Sequence, residues 1–331
     1  MENCSSQMCK AFGWDGSPDL VGVGMLATYT IQAILVTLYL FAILGVRLDK
    51  LPPQVQSSRI LSRTLHSVQH STAEFLSASS VFSLSILIAS IISISYYEEL
   101  RPMTWILALI ISLNSVFPVA ILHISTSTML RRSKGRVFMW FIIDILLIGL
   151  TVRSSILFAE FSAYDAWIEY ETNPCARISL HGIAVFSHII AGFLCLGITG
   201  YIVDFMVSVI RNRPAMMVRL PDIAQWGVVG VCICTMWGFL GWLLNLAIKI
   251  QSRAGDNNKD SEWTFGQVLS LATWVPFVVE FAYIWWEDPL QALHGRLMAP
   301  YEVVVSSREQ SLLEMRPSGG DEARGRFQRL E

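Results

Sequence analysis

The chain predicts an all-α membrane protein, a bundle of seven transmembrane helices, and three observations predict it. Of its 331 residues 53% are hydrophobic and only 15% charged, with a mean hydropathy of +0.50; a soluble domain carries about a quarter charged residues. The charges cluster between long apolar runs rather than spreading evenly. Seven of those runs reach the ~20 residues that cross a hydrocarbon core.

The predicted spans are Leu20–Val46, Thr72–Tyr97, Met103–Ile124, Val137–Leu157, Ile178–Val203, Ile223–Ile250 and Trp263–Trp286. The first is too long for the apolar core of a cleaved signal peptide and reads as an anchor that stays in place. The fourth carries the weakest signal, because Asp144 lies inside it and Arg153 near its far end. Pro118 and Pro276 sit inside the third and seventh spans; each removes a backbone donor and should kink its helix, with neighbouring helices supplying the freed carbonyl. Serines crowd the second span, Ser77, Ser79, Ser80, Ser83, Ser85, Ser90, Ser93 and Ser95, and predict small-residue helix packing; Gly238 and Gly241 on the sixth carry the same expectation. Residues 1–19 form a short stub and residues 287–331 a polar tail, expected to be disordered toward its end.

Basic residues orient the bundle. With seven spans, Arg47, Lys50, Arg59, Arg63, the run Arg131-Arg132-Ser133-Lys134-Gly135-Arg136, Arg211, Arg213 and Arg219 all fall on one side. The loop Glu160–Arg177, with Glu160, Asp165, Glu169 and Glu171, falls on the other. Basic loops stay in the cytosol, so the N-terminus is expected outside and the C-terminus inside. Trp263 and Trp285-Trp286 bracket the seventh span about 33 Å apart at 1.5 Å per residue, a membrane thickness with aromatic rings at both interfaces.

Cys4, Cys9 and Cys175 then share the non-cytosolic side, where oxidation is possible. A bridge from Cys4 or Cys9 to Cys175 would clip the stub onto the loop after the fourth span; three free thiols are the alternative. Cys195, Cys232 and Cys234 lie inside spans. A net charge of −2 offers no basic field for nucleic acid, and no zinc finger, Walker loop or dinucleotide fingerprint is present. No cofactor or metal is expected.

Ionisable groups inside a bilayer are costly and mark function. Asp144 lies seven residues into the fourth span and Glu280 six before Trp286, so each is about 10 Å deep, counted from the same side. The two acids are expected to face one cavity and to serve as proton donors. A structural hydrogen bond to Asn114, His123 or a serine is the alternative. Asn114, His123, His188, Trp237 and Trp274 are the expected pocket-lining residues. His66, His70 and Glu74 follow i, i+4, i+8 spacing and could hold a metal, yet flanking Arg59 and Arg63 favour a plain interfacial helix. His181 and His188, seven apart, share a face. Eleven tryptophans, 17 phenylalanines and 9 tyrosines supply ring faces that attract cations.

The stretch Ser17-Pro18-Asp19-Leu20-Val21-Gly22-Val23-Gly24, followed by an apolar run with Tyr29 and Gln32, resembles a group of fungal heptahelical membrane proteins. These begin with an outer Cys-rich stub and a Pro-Asp-x-x-Gly-x-Gly lead into the first helix. The group includes membrane-bound terpene cyclases of meroterpenoid biosynthesis, of the ascofuranone and macrophorin type. The resemblance covers about residues 10–290. It implies that a linear prenyl chain on a phenol or quinone enters from the membrane and that a carboxylic acid protonates its terminal epoxide or alkene. The cation then cyclises, with no metal, diphosphate or redox cofactor. The partner implied is a lipophilic small molecule in the lipid bilayer, and the endoplasmic reticulum is the expected membrane. Assignment of the donor to Glu280 or Asp144 rests on their depth alone.

A heptahelical receptor fits the same topology. Against it, the third span ends His123-Ile124-Ser125 without an acid–Arg pair, and the seventh holds no lysine. A transporter would show discontinuous helices and inverted repeats, of which only Pro118 and Pro276 give a hint.

Overall fold

The computed structural model describes residues 18–47, 59–96, 102–126, 134–163, 180–211, 222–254 and 263–286. Regular structure among them is all α-helix. A turn, α1 (Pro18–Val21), leads through Gly22 into α2 (Val23–Arg47). Then follow α3 (Arg59–Tyr96), α4 (Pro102–Thr126), α5 (Lys134–Ala163), α6 (Leu180–Arg211) and α7 (Asp222–Ala254). The last span is the pair α8 (Phe265–Ala272) and α9 (Val275–Trp286). Seven segments are long and apolar enough to cross a membrane, the pattern of an integral, multi-pass protein. Among them is the weakly signalled fourth, which crosses as Gly135–Ser162.

The helix α3 begins well before the apolar run that betrays it. Polar residues at its start fold their hydroxyls back on the helix: Thr64 donates to the Ile60 carbonyl, Ser67 to Arg63 and Ser71 to Ser67. Such bonds satisfy hydroxyls without water.

At the centre stands α4, 89% of whose most apolar window is buried, against 22% for the last span. It packs against α2, α3, α5, α6 and α7. The serines of α3 divide: Ser79, Ser80, Ser83 and Ser90 are buried and the Ser112 hydroxyl on α4 donates to Ser90, whereas Ser77, Ser85 and Ser95 are exposed. Between apolar helices in lipid, close packing and such bonds hold the bundle together, since lipid tails are as apolar as leucine.

The two prolines act differently. Pro118 lies within an unbroken α4. Pro276 stands just past a break, where α8 closes with Thr273 N–H on Leu269 and Trp274 N–H on Leu271 before α9 begins. The first span meets α8 at a close approach: Gly24 N–H donates to Gln267 Oε1 at 2.9 Å, capping one of the unpaired donors that open α2. At the other end Trp285 donates to Thr64. The start of the first span thus lies beside the start of the last, and the end of the last beside the start of α3.

Gly238 and Gly241 depart from expectation. A Cβ at either would meet nothing within 4 Å, so neither permits a close helix contact; both face outward. The stub to residue 17, Cys4, Cys9, Cys175 and the tail 287–331 lie outside the described residues, as does the side chain of His66.

Candidate functional site

One face of α5 turns inward. Trp140, Ile143, Asp144 and Leu147 are buried there, while Phe138, Phe141, Ile145 and Ile148 point outward, the 3.6-residue period of a helix with one packed side. That period carries Asp144 into the seam between α4, α5 and α6, where it is 5% exposed. Thr199 of α6 donates its hydroxyl to Asp144 Oδ2 at 2.7 Å. Asp144 Oδ1 is buried with no hydrogen-bond partner. Cys195, one turn before Thr199, lies beside Asp144 and Thr151.

One turn from Asp144 on the same face, Trp140 stacks near His123 of α4, ring centroids 5.0 Å apart. His123 Nε2 hydrogen-bonds the Tyr201 hydroxyl at 3.0 Å, and Tyr201 meets the imidazole edge-on. His123 Nδ1 is buried and unpartnered. The void lined by Ala120, His123, Ile124, Trp140, Ile198 and Tyr201 measures about 10 Å³, room for about one water. The seam therefore holds a buried acid, a hydrogen-bonded His–Tyr pair and an aromatic wall.

Glu280 sits elsewhere. It is half-buried on α9 between Phe277 and Ile284, and α9 packs against α3. Neither acid lines any of the three cavities described for the bundle. The hydrogen bond foreseen for Asp144 goes to Thr199, not to Asn114 or His123. Asn114 instead donates to the Ile110 carbonyl and lines a second void of about 10 Å³ with Leu113, Phe117, Pro118, Ile190, Thr235, Met236 and Phe239.

The remaining expected pocket residues divide between packing and surface. Trp274 is buried in a ring cluster with Phe75 and Phe82, its Nε1 without a hydrogen-bond partner. Trp237, 38% exposed, donates to Thr37 Oγ1 and ties α7 to α2. His181 and His188 do share a face, both against Phe158. His188 Nδ1 donates to the Ala184 carbonyl at 2.7 Å, its Nε2 buried and unpartnered, with Trp105 alongside.

A cleft of about 520 Å³ opens between α6 and α7, lined by Gly182, Ile183, Phe186, Thr235, Gly238, Phe239 and Trp242. It alone of the three cavities is large enough for a ligand. Among the described residues no three His, Cys, Asp or Glu side chains gather as a metal site would require.

Sequence reasoning missed Trp140, Thr199 and Tyr201. Trp140 carried a usable signal, four residues before Asp144 and so on its face; Thr199 and Tyr201 carried none, since hydroxyl residues are common in apolar helices. Comparison with family models, with curated proteins and with solved structures finds no match.

Proposed function

We propose that the protein is a membrane-embedded enzyme that cyclises a lipophilic, prenylated substrate by protonating its terminal alkene or epoxide. The observation that carries this reading is Asp144: a carboxyl group buried inside the bundle, with Oδ2 held by Thr199 and Oδ1 unsatisfied. Buried polar atoms are nearly always paired and an ionisable group inside a membrane span marks function by default, so the unpaired oxygen of Asp144 supports a chemical role.

The steps conserve mass. Asp144 gives its proton to the substrate, the resulting carbocation closes onto an internal double bond, and a neighbouring carbon gives a proton back to the Asp144 carboxylate, which restores the acid and leaves an isomer. Trp140 and Tyr201 offer ring faces and edges beside the acid, and a ring face stabilises a cation by ~1–2 kcal/mol when water is excluded. His123 Nδ1 is a base within the same seam. Glu280 is the second candidate acid, on its own helix interface. The void beside His123 holds one water, so a prenyl chain reaches Asp144 only when α6 swings away from α4 and α5. A non-catalytic, receptor-like bundle is the second reading, and that closed interior favours it.

The basic loops orient the bundle with its N-terminus outside and its C-terminus in the cytosol, in the endoplasmic reticulum. Microsomes carrying the full chain, incubated with linear farnesylated phenols with and without a terminal epoxide, should yield a product of equal mass and shifted retention. Asp144→Asn should abolish it. Turnover lost in Glu280→Gln but kept in Asp144→Asn would move the acid to α9. No turnover of any substrate by folded, inserted protein would favour the receptor-like reading.

A further inference from the structure

The cleft and the two voids form a line. On α6 their walls run from Gly182, Ile183 and Phe186 through Ile190 to Ile198 and Tyr201. On α4 they run from Leu113, Asn114 and Pro118 to Ala120 and His123. The cleft and the first void share Thr235 and Phe239, so those two side chains are at once the floor of the cleft and the roof of the interior space. From Phe186 to Thr199, the partner of Asp144, is 13 residues of helix, about 20 Å.

We infer that this cleft is the lateral entrance through which an isoprenoid chain passes from the bilayer into the bundle. The inference rests on the cyclase reading for its substrate class, but not for the existence of the entrance. No cleft-lining side chain is charged, so the part of the ligand it covers is uncharged. Its one hydroxyl, Thr235, is turned onto the Val231 carbonyl at 2.9 Å. What remains is Ile183, Phe186, Phe239 and Trp242, with Phe186, Phe239 and Trp242 in mutual ring contact. Such a wall grips a methyl-branched chain or a phenol ring by dispersion.

A second copy of the chain fits this space badly. The walls cover only four residues' length of α6, about 6 Å, and seven of α7, about 10 Å, too short a stripe to seat a helix. The cleft is instead walled off from the first void by Thr235 and Phe239, the two side chains that line both. The helices beside it allow the passage: α6 packs on α4 and α5, and α7 on α2 and α4. The prenyl terminus leads inward past Phe239 along the Pro118 turn of α4, and the aromatic head stays against Trp242. That order delivers the reacting end to Asp144.

The test uses the full chain in phosphatidylcholine nanodiscs and a farnesylated phenol with a diazirine on its ring. After illumination, cross-links are mapped by mass spectrometry. They should fall within 182–186 and 235–242. Gly238→Leu places a side chain in the cleft that Gly238 lines, and its Cβ meets nothing within 4 Å. It should cut labelling about tenfold or more, the loss expected when a ligand-sized cleft is filled. Gly241→Leu, equally open but outside the cleft, should label as wild type does, and so should Asp144→Asn.

Labelling spread evenly over the outward faces of all spans, or unchanged in Gly238→Leu, would overturn the entrance. Labelling of the cleft without turnover of any substrate would keep the entrance and remove the cyclase. Turnover at the wild-type rate in Gly238→Leu would do the reverse.

Discussion

The side-chain amide of Gln32 on α2 donates to the backbone carbonyl of Ser115 on α4 at 3.0 Å, and Ser83 of α3 donates to the same oxygen at 2.7 Å. Ser115 lies three residues before Pro118, one residue after Asn114, whose carbonyl is the one that Pro118 leaves without its helical donor. In lipid no water can serve an exposed carbonyl, so neighbouring helices must. Two donors from two helices converge on the Ser115 oxygen, and they tie α2 and α3 to the buried axis of the bundle.

That arrangement predicts a coupled pair. Gln32→Leu and Ser83→Ala should each cost about 0.5–1 kcal/mol, the usual worth of an interhelical bond in a membrane. Gln32→Leu should sit at the lower end, because it also removes Oε1, a buried acceptor without a partner. The double variant should depart from the sum by about 0.5–3 kcal/mol, since the two donors share one acceptor. Unfolding in mixed micelles measures all three, and strict additivity would show that the two donors act independently.

Asp144 and Thr199 predict a separation of activity from stability. In Asp144→Asn the amide oxygen can still accept from Thr199, so the fold is kept while the acid proton is gone. Turnover of an epoxy-farnesyl phenol should fall about 10²–10⁴-fold, the worth of a general acid. Thr199→Val leaves the carboxyl in place but loosens it, and a drop of about tenfold is expected from imperfect positioning. Wild-type rates in Asp144→Asn would remove this residue from the mechanism.

The clamp between Gly24 and Gln267 predicts a steric effect. A Cβ at Gly24 would lie 2.8 Å from both Gln267 Cβ and Oε1 and 3.0 Å from the Trp263 ring. Gly24→Ala should therefore destabilise the protein by about 1–3 kcal/mol, the range for overpacking. Adding Gln267→Gly should remove both Gln267 contacts and recover part of that loss. The recovery stays incomplete, because the Gly24 N–H then loses its acceptor. Thermal inactivation in detergent reads both variants, and an unchanged midpoint in Gly24→Ala would mean that α8 shifts aside freely.

The fold was legible because membrane crossing leaves a coarse mark. Twenty apolar residues in a row have few other uses, and even the span interrupted by Asp144 forms as Lys134–Ala163. Helix ends were less legible: α3 starts at Arg59, in a polar stretch that hydropathy does not register as helix. The site was half legible. Depth alone singled out Asp144, and the 3.6-residue period turns it inward. Depth could not say that Glu280 faces a different interface, because the rotation of each helix depends on its neighbours. The outward-facing Gly238 was read as packing for the same reason: a small residue suits a tight contact or an open cleft, and only the neighbouring helix decides which.

Orientation gives the last prediction, and it follows from charge alone. The stretch from Arg131 to Arg136 is too short to be translocated regardless of its charge, so its four basic residues should hold it in the cytosol. A glycosylation acceptor fused ahead of Met1 should be modified in microsomes, and an epitope after Glu331 should be cleaved by protease added outside sealed vesicles. Replacing Arg131, Arg132, Lys134 and Arg136 with glutamine should weaken that preference and yield a mixed population. An N-terminal acceptor left unmodified, with the C-terminal epitope protected, would invert the bundle. It would then put the seven-span count itself in question, because the basic loops would all lie on the side that positive charge avoids.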